Sequence, residues 1–362
     1  MMIDEETPLQ IPHFVVIIAT DMEVNSTVIV YPGVTPAISV SERRFLATIL
    51  CIIVVTGLFG NSVVMMSVFL SKKLRRCITT FFILNLSVAD VAACLSMPWT
   101  IVSFLYPGGW PLPDFLCQMG GFGLIMFFGC SVMTLSTIAI NRLHLITWTR
   151  HTYLTIYTPI KTGFIILATW LLAIMVASVP LIFNFGQLGY SARHASCTRD
   201  PSHPLATALN IFLAAVFYPV PCLIIISSYA KIYSFVRSHS RIIKHGHDPT
   251  KTSRTRAQID RAHFRGHISR RQLLVTWNMF YVVCVFCALV SPYAIALFIS
   301  NNDRALPYTA VVLSFNSCIN PFIYATKHPD FKKVMVCILT CRIRNIPGRV
   351  RRQRTPAQPL KN

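Results

Sequence analysis

Charged residues are scarce in this chain of 362 residues. Asp, Glu, Lys and Arg make up 13% of it and hydrophobic residues 54%, whereas about a quarter of a typical soluble domain is charged. The uncharged runs are long, so the composition indicates a polytopic membrane protein and not a large soluble domain. The net charge of +20 would favour a nucleic-acid partner in a soluble protein, but the bases form separate patches between and after the apolar runs. No nucleic-acid partner is therefore predicted.

Acidic residues and catalytic motifs are almost absent from the apolar runs. Asp90 is the only acid well inside one of them, whereas an intramembrane enzyme needs two carboxylates, a Ser/His pair or metal ligands. Most of the eleven histidines lie outside these runs, and no HExxH-type spacing occurs. The two halves of the chain do not resemble each other, which argues against a transporter built from repeats. An enzyme is excluded on these grounds, and a transporter is disfavoured.

Seven apolar runs are each long enough to cross a bilayer, which takes roughly 20 residues as a helix. They lie near 45–70, 79–105, 115–146, 161–183, 206–236, 272–300 and 306–326. A short amphipathic stretch follows, with Phe331 on one side and Lys332 and Lys333 on the other. The predicted fold is an all-α membrane protein, a seven-helix bundle followed by a short amphipathic helix on the membrane surface.

The bases and acids predict how the chain is oriented. Residues 1–41 hold five acids and no Lys or Arg, whereas bases cluster in 72–76, 231–271 and 327–361. Because bases favour the cytoplasmic side, we expect a plasma-membrane protein with its N-terminus outside. Asn25, in a glycosylation sequon, agrees with this orientation. The predicted regions are an outer tail (1–44), the bundle (45–327), the amphipathic helix (328–341) and a basic cytoplasmic tail (342–362).

Polar residues inside spans are costly and therefore mark functional sites. Asp90 lies in the second span and Arg142 in the third. Asn316, Ser317 and Asn320 lie in the seventh, followed by Pro321, which removes a backbone donor and kinks its helix. The alternative is that Asp90 and the asparagines only join helices to one another.

The motifs taken in order resemble those of the rhodopsin-like G protein-coupled receptors, over almost all of residues 45–341. One matching feature per span carries the resemblance. These features are Gly60-Asn61, NLSVAD (85–90), Trp110 with Cys117, Asn141-Arg142, Trp170 with Pro180, Pro221 with Tyr229, Pro292, NPFIY (320–324) and Phe331. Within the family, SMP (96–98) and the stretch 217–233 are similar to the moody and trapped-in-endoderm type orphan receptors and to the melatonin-receptor group.

The resemblance implies roles for particular residues. It implies a disulfide between Cys117 and Cys197, and a heterotrimeric G protein and arrestin as partners. Asn141, Arg142, Tyr229 and Tyr324 would form the switch at the cytoplasmic end. Asn61, Asp90, Ser131, Asn316 and Asn320 would form a polar network that holds an allosteric sodium ion, and no other cofactor is expected. Cys337 and Cys341, at the end of the amphipathic stretch, are candidates for palmitoylation, which would attach that helix to membrane lipids.

The switch and the ligand site depart from the family pattern. The acid that usually precedes the arginine is Asn141, so we expect Arg142 to have only hydrogen-bond acceptors such as Asn141, and water. The aspartate of amine receptors is Leu124 here, and the lysine of opsins is Ser314, so neither a monoamine nor retinal is expected. The tryptophan that usually lies two residues before the proline of the sixth span is Val290.

The outer half of the bundle is predicted to be apolar and aromatic. Such a pocket suits an extracellular ligand that is small and apolar, either lipid-like or neutral and aromatic. The candidate residues are Trp99, Leu124, Phe127, Phe128, Tyr218, Tyr293 and Phe298. Arg193, His194 and Arg199 in the second outer loop could receive a carboxylate or could simply be solvated. A non-signalling scavenger or scaffold, or a membrane transporter, is the alternative function.

Overall fold

The computed structural model of the chain describes residues 37–106, 108–245, 270–298 and 304–348. Asn25, most of the basic linker and the end of the tail therefore lie outside the described residues. Cys117 and Arg142 lie at opposite ends of the third span. We refer to these two ends of the bundle as the hairpin end and the arginine end.

The helices form a bundle of seven spans, which confirms the predicted fold. The spans are Val40–Leu70, Ile78–Leu105, Asp114–Thr147, Pro159–Phe183, Ala206–Phe217 continued by Pro219–His245, Arg270–Phe298, and Ala305–Ser314 continued by Asn316–Lys327. Shorter helices are Lys72–Arg75, Arg150–Ile156 and Pro329–Leu339, with a 3-10 turn at Ile343–Asn345. Strands β1 (Leu188–Ser191) and β2 (Ser196–Arg199) pair antiparallel. Within the described ranges six helices are long and apolar enough to cross a membrane, and the seventh span is divided.

The first span begins at Val40, ahead of the predicted boundary at 45, because Ser39 and Glu42 form a capping box. The Glu42 backbone N–H donates to Ser39 Oγ, and the Ser39 N–H donates to Glu42 Oε2 at 2.7 Å. Such reciprocal bonds satisfy N–H groups that have no partner inside the helix. Glu42 also accepts from Arg304 at 2.8 Å and from the Tyr308 hydroxyl at 2.6 Å. The cap therefore also joins the first span to the seventh.

Two spans are broken where the sequence removes or crowds a backbone donor. The fifth breaks at Tyr218, which precedes Pro219, and a residue before proline is pushed out of the helical region. The seventh breaks at Phe315, whose N–H donates to the carbonyl of Val312 three residues back. Pro321 lies six residues further on, and it cannot donate to the carbonyl of Ser317.

The unpaired carbonyl of Ser317 is satisfied by the first span. Asn61 Nδ2 donates to it at 2.7 Å and also to the carbonyl of Gly57 at 3.0 Å. Gly60 makes this approach possible, since a Cβ there would lie 2.9 Å from the Pro321 ring. Gly60 and Asn61 thus hold the kinked part of the seventh span.

A second polar connection joins the second, third and fourth spans. Asn85 Nδ2 donates to Thr134 Oγ1 at 2.8 Å, and Trp170 Nε1 donates to Asn85 Oδ1 at 2.8 Å. Asn85 and Thr134 are buried. Hydrogen bonds of this kind stabilise helix association where lipid replaces water.

The chain after the seventh span returns across the arginine end of the bundle. Phe331 is fully buried and lies 5.7 Å from the ring of Tyr324, and Asp330 pairs with Lys73 at 3.2 Å. Beyond this helix Ile346 is buried in the core, and the Lys72 N–H donates to the carbonyl of Gly348 at 2.8 Å. The first residues of the predicted tail therefore belong to the folded bundle.

Replacing Asn85 by Ala should destabilise the bundle by about 1 kcal/mol and lower its melting temperature by about 2 °C, because Trp170 N–H and Thr134 lose their partner. Thermal unfolding of the detergent-solubilised protein measures this. The control is Asn210→Ala, since the side-chain oxygen of Asn210 has no hydrogen-bond partner among the described residues. Equal shifts for the two variants would contradict the role given to Asn85.

Candidate functional site

Arg142 lies buried at the arginine end, with 3% of its surface exposed. Its Nε has no hydrogen-bond partner, and neither has the hydroxyl of Tyr229 or of Tyr324, within the part of the chain that the structure describes. Both hydroxyls are close enough to act on its charge. The structure thus brings together three of the four predicted switch residues, as polar groups with unused hydrogen-bonding capacity.

Asn141 is adjacent to Arg142 but bonds elsewhere. Its Oδ1 accepts from Thr79 Oγ1 at 2.9 Å, and its Nδ2 donates to the Tyr153 hydroxyl at 3.0 Å. Both bonds point to the second span and to the short helix Arg150–Ile156. The expectation that Asn141 would supply an acceptor for Arg142 is therefore wrong for the described residues, because its polar atoms are already engaged.

Two tyrosines after the third span support Asn141. Tyr153 and Tyr157 stack with ring centroids 4.9 Å apart, and the Tyr157 hydroxyl bonds His144 Nδ1 at 2.9 Å. Burial raises the pKa of Tyr157 to about 12 and also raises the pKa of Tyr153. Both hydroxyls therefore stay protonated at physiological pH, so the segment contributes hydrogen bonds but no charge.

Asp90 lies fully buried in the middle of the bundle. Ser131 Oγ donates to one carboxylate oxygen at 2.9 Å, and Asn320 Nδ2 donates to the other at 2.9 Å. Asn316 donates instead to the carbonyl of Leu313, and Asn61 to that of Ser317. Of the predicted polar network, Ser131 and Asn320 thus contact the carboxylate, whereas Asn61 and Asn316 bond backbone nearby.

A disulfide joins Cys117 at the start of the third span to Cys197 in β2, as predicted. Gly121 lets the strand approach the span, since a Cβ there would lie 2.8 Å from the carbonyl of Thr198. Ser103 Oγ donates to the carbonyl of Ala195 at 2.9 Å, which fixes the turn between the strands. The hairpin is therefore tied down over the end of the bundle.

Beneath the hairpin lies a cavity of about 170 Å³. Its walls come from the second, third, fifth, sixth and seventh spans, with Leu50 from the first, and are mostly apolar. Its hairpin side carries His194 and Arg199. Arg199 Nη2 donates to the Tyr293 hydroxyl at 2.8 Å, and its guanidinium carbon lies 5.8 Å from the centre of that ring. Arg193 is exposed and is not part of the lining.

The predicted pocket residues divide into two groups. Leu124, Phe128, Tyr218 and Tyr293 line the cavity. Trp99 packs instead against Gly120, and Phe127 lies 6.1 Å from the ring of Trp170, so neither side chain is part of the lining. Phe298 ends the sixth span, and its side chain lies outside the described residues.

The cavity is lined by two of the residues at which this sequence differs from the motifs of the family that it resembles. Ser314 and Val290 both line it. Serine offers no amine for a retinal Schiff base, and valine leaves the place of an indole to a smaller side chain. Phe128 connects this wall to the sixth span, since it stacks on Phe286 with centroids 6.4 Å apart.

The two candidate acylation sites differ in accessibility. Cys337 lies within the helix Pro329–Leu339 and is partly buried, whereas Cys341 follows the helix and is exposed. Only the second thiol is thus freely accessible.

Several contacts at these sites were missed by the sequence reasoning. The bonds of Asn141 to Thr79 and Tyr153, and that of Arg199 to Tyr293, join residues from different elements. The bonds of Asn141 could have been suspected from the sequence, because an asparagine in place of an acid needs both a donor and an acceptor as partners.

Comparisons with known proteins agree with this geometry. Residues 60–324 match the sequence profile of the "7 transmembrane receptor (rhodopsin family)". The chain is 28% identical over 312 residues to melatonin receptor type 1C of Xenopus laevis, covering 82% of this chain and 69% of that protein. It is 24% identical over 305 residues to "Protein trapped in endoderm-1" of Drosophila melanogaster, covering 81% and 76%. The crystal structure of squid rhodopsin superposes with a TM-score of 0.68 at 20% identity, covering 86% of this chain and 92% of that one.

Proposed function

Because the chain belongs to the rhodopsin family of seven-transmembrane receptors, we propose that it binds an extracellular ligand in the cavity at the hairpin end and activates a heterotrimeric G protein at the arginine end. The ligand is small and mostly apolar, lipid-like or aromatic. Arrestin is a further partner at the arginine end. As a member of this family the chain is a multi-pass membrane receptor and not an enzyme.

One observation carries this proposal: a buried arginine at the end of the third span, which pairs with no acid among the residues that the structure describes. An unpaired buried charge is unfavourable unless a conformational change or a partner supplies acceptors. Tyr229 and Tyr324, from the fifth and seventh spans, have hydroxyls without partners and face the same charge. Arg142 can therefore form new hydrogen bonds with a G protein without first breaking a salt bridge among the described residues.

The orientation follows from charge and redox chemistry. Disulfides persist on the oxidising side of a membrane, so the hairpin end with Cys117 and Cys197 is extracellular, and the N-terminus with it. Lys72, Lys73 and Arg75 lie at the other end, where bases favour the cytoplasm and its anionic lipids. The plasma membrane is the location we propose, because an extracellular ligand is bound there.

The ligand signal reaches the sixth span through the cavity wall around Val290, where the usual tryptophan is absent. A ligand that presses on Phe128 also acts on Phe286, because the two rings stack. Tyr218 provides a second connection, since its hydroxyl bonds Ser291 Oγ at 2.7 Å across the fifth and sixth spans. Movement of the sixth span is thus coupled to the cavity through a phenylalanine pair and a Tyr–Ser bond.

The receptor should drive G protein turnover without ligand, because Arg142 forms no salt bridge within the described part of the chain. Asn141→Asp should lower this basal rate about tenfold, as expected for a charge-assisted bond. GTP hydrolysis by a panel of G proteins in a membrane preparation measures both. Asn141→Leu is the control, since it removes the bonds to Thr79 and Tyr153 without adding a charge, and it should not lower the rate.

A silent wild type together with an unaffected Asn141→Asp variant would refute this account of the missing acid. Silence of every variant with every G protein would favour a non-signalling scavenger or scaffold. Solute flux into vesicles would instead indicate a transporter.

The site around Asp90 fits a sodium ion as an allosteric ligand. A buried carboxylate needs a cation or a proton, and the oxygens of Asp90, Ser131 and the nearby asparagines suit a hard cation. Asn61 Oδ1, buried near the kink, has no hydrogen-bond partner among the described residues. Asp90 would carry the charge, and Ser131, Asn316, Asn320 and Asn61 would supply the surrounding polar groups.

Replacing choline by sodium should lower the basal turnover of the wild type at least about fivefold, the low end of allosteric coupling. Asp90→Asn should abolish this response, as well as any sodium effect on agonist affinity. Asp114→Asn is the matched control, since Asp114 is exposed at the hairpin end of the third span. The same salt response in wild type and Asp90→Asn would exclude the sodium site.

Cys341 is the preferred site of palmitoylation, because it is exposed beside the amphipathic helix while Cys337 is partly buried. Acyl exchange on the protein from animal cells should label the wild type and lose most of its signal in Cys341→Ser. Cys337→Ser should retain most of it. Cys77→Ser, which removes another exposed thiol, is the control. Undiminished labelling of Cys341→Ser would reject this assignment.

A further inference from the structure

The ligand cavity combines apolar walls with one permanent cation. No Asp, Glu or Lys occurs among the described residues that line it. Arg199 and His194 line it from the hairpin, while Leu124, Phe128 and Val290 contribute apolar side chains from the third and sixth spans. Such an asymmetric lining fits a ligand with one anionic end and one apolar end.

Arg199 is held in place by the fold around it. It lies two residues after the disulfide-bonded Cys197 and pairs with Leu188 in the register of the hairpin. Its bond to the Tyr293 hydroxyl joins the hairpin to the sixth span. A guanidinium fixed in this way loses little conformational entropy on binding a planar acceptor.

The acids closest in sequence or on the same end of the bundle do not neutralise Arg199. The neighbouring Asp200 accepts from the backbone N–H and the hydroxyl of Ser202. Glu42 pairs with Arg304. Over the described ranges, then, Arg199 has no salt bridge.

Tyr293 adds a second donor for the same group. Its hydroxyl oxygen accepts from Arg199, so its own proton remains free to be donated, because a phenol can do both. A guanidinium N–H and a phenol O–H next to each other match the two oxygens of a carboxylate.

The volume limits the apolar part of the ligand. A cavity of about 170 Å³ is close in size to an engineered cavity of ~150 Å³ that binds benzene. The cavity therefore has room for about one aromatic ring, with the charged group reaching the hairpin.

We propose that the ligand of this receptor is a small aromatic carboxylic acid, whose carboxylate binds Arg199 and Tyr293 and whose ring lies against Leu124, Phe128 and Val290. This inference rests on the proposed function, because it takes the cavity to be the agonist site. It narrows the ligand class, since no acid among the described residues pairs with Arg199 and a neutral aromatic molecule would supply none.

The test measures binding directly on the full-length protein in lipid nanodiscs by isothermal titration calorimetry. The probes are phenylbutyrate and phenylpropionate, each compared with its primary amide. The acids should bind about 10- to 100-fold more tightly than the amides, the range expected for hydrogen bonds to a charged group. Ligand-free G protein turnover is recorded on the same nanodiscs.

Variants locate the site. Arg199→Gln should lose the preference for acid over amide, and Arg199→Lys should keep part of it. Tyr293→Phe should weaken acid binding about 3- to 10-fold, as expected for one neutral donor. Arg193→Gln is the matched control, because it removes an exposed arginine of the same hairpin that lies outside the cavity. The acid-to-amide ratio within one variant does not depend on how much of that variant is folded, and Tyr293→Phe retains the test if Arg199→Gln fails to fold.

Each contrary outcome has a defined meaning. Equal affinity for acids and amides, undiminished acid binding by Arg199→Gln, or failure of both acids to bind the wild type would overturn the proposal. Acid binding without any G protein turnover would leave the anion site standing and reject the signalling function. G protein turnover without acid binding would support the signalling function and reject the anion site.

Discussion

The carbonyl oxygen of Ser317 sets the arrangement on which the bundle depends. Pro321 cannot donate to it, and in a bilayer no water is available to replace the lost bond. Asn61 donates instead at 2.7 Å, and Gly60 leaves room for the Pro321 ring. The kink then places Asn320 within 2.9 Å of Asp90. One missing N–H thus accounts for an asparagine in the first span, a glycine beside it and the approach of the seventh span to the only acid in the second.

The arginine end shows the opposite situation, in which a buried polar group is not satisfied. The amide of Asn141 bonds Thr79 and Tyr153, and it thereby joins the third span to the second span and to the segment after the third. Arg142 receives no hydrogen bond from Asn141, and its Nε and the hydroxyls of Tyr229 and Tyr324 have no partners over the described ranges. Replacing an acid by an amide therefore does not weaken an existing pair. The side chain at position 141 holds Thr79 and Tyr153 in place and does not hold Arg142.

Much of the fold could be predicted, because its determinants are periodic or local. The length of the apolar runs placed the spans, and the family pattern placed the Cys117–Cys197 disulfide. The start of the first span could have been found from Ser39 and Glu42, since a capping box is visible in sequence. The lining of the cavity could not be found in this way. Trp99 and Phe127 are aromatic and lie in suitable spans, but they turn to Gly120 and Trp170, and the direction of a side chain around a helix depends on how neighbouring helices pack. The pairing of Arg199 with Tyr293 depends on the hairpin, which no periodicity describes.

The return of the chain after the amphipathic helix has a consequence for the surface at the arginine end of the bundle. Ile346 is buried, and Gly348 is bonded to Lys72, so the rest of the tail starts from the first loop, beside the first span. Gly348 is thereby anchored beside Lys72, Lys73 and Arg75, the bases of that loop. A protein that approaches this end along the membrane therefore meets exposed bases from two segments of the chain, the first loop and the stretch with Arg342 and Arg344, which the fold holds together.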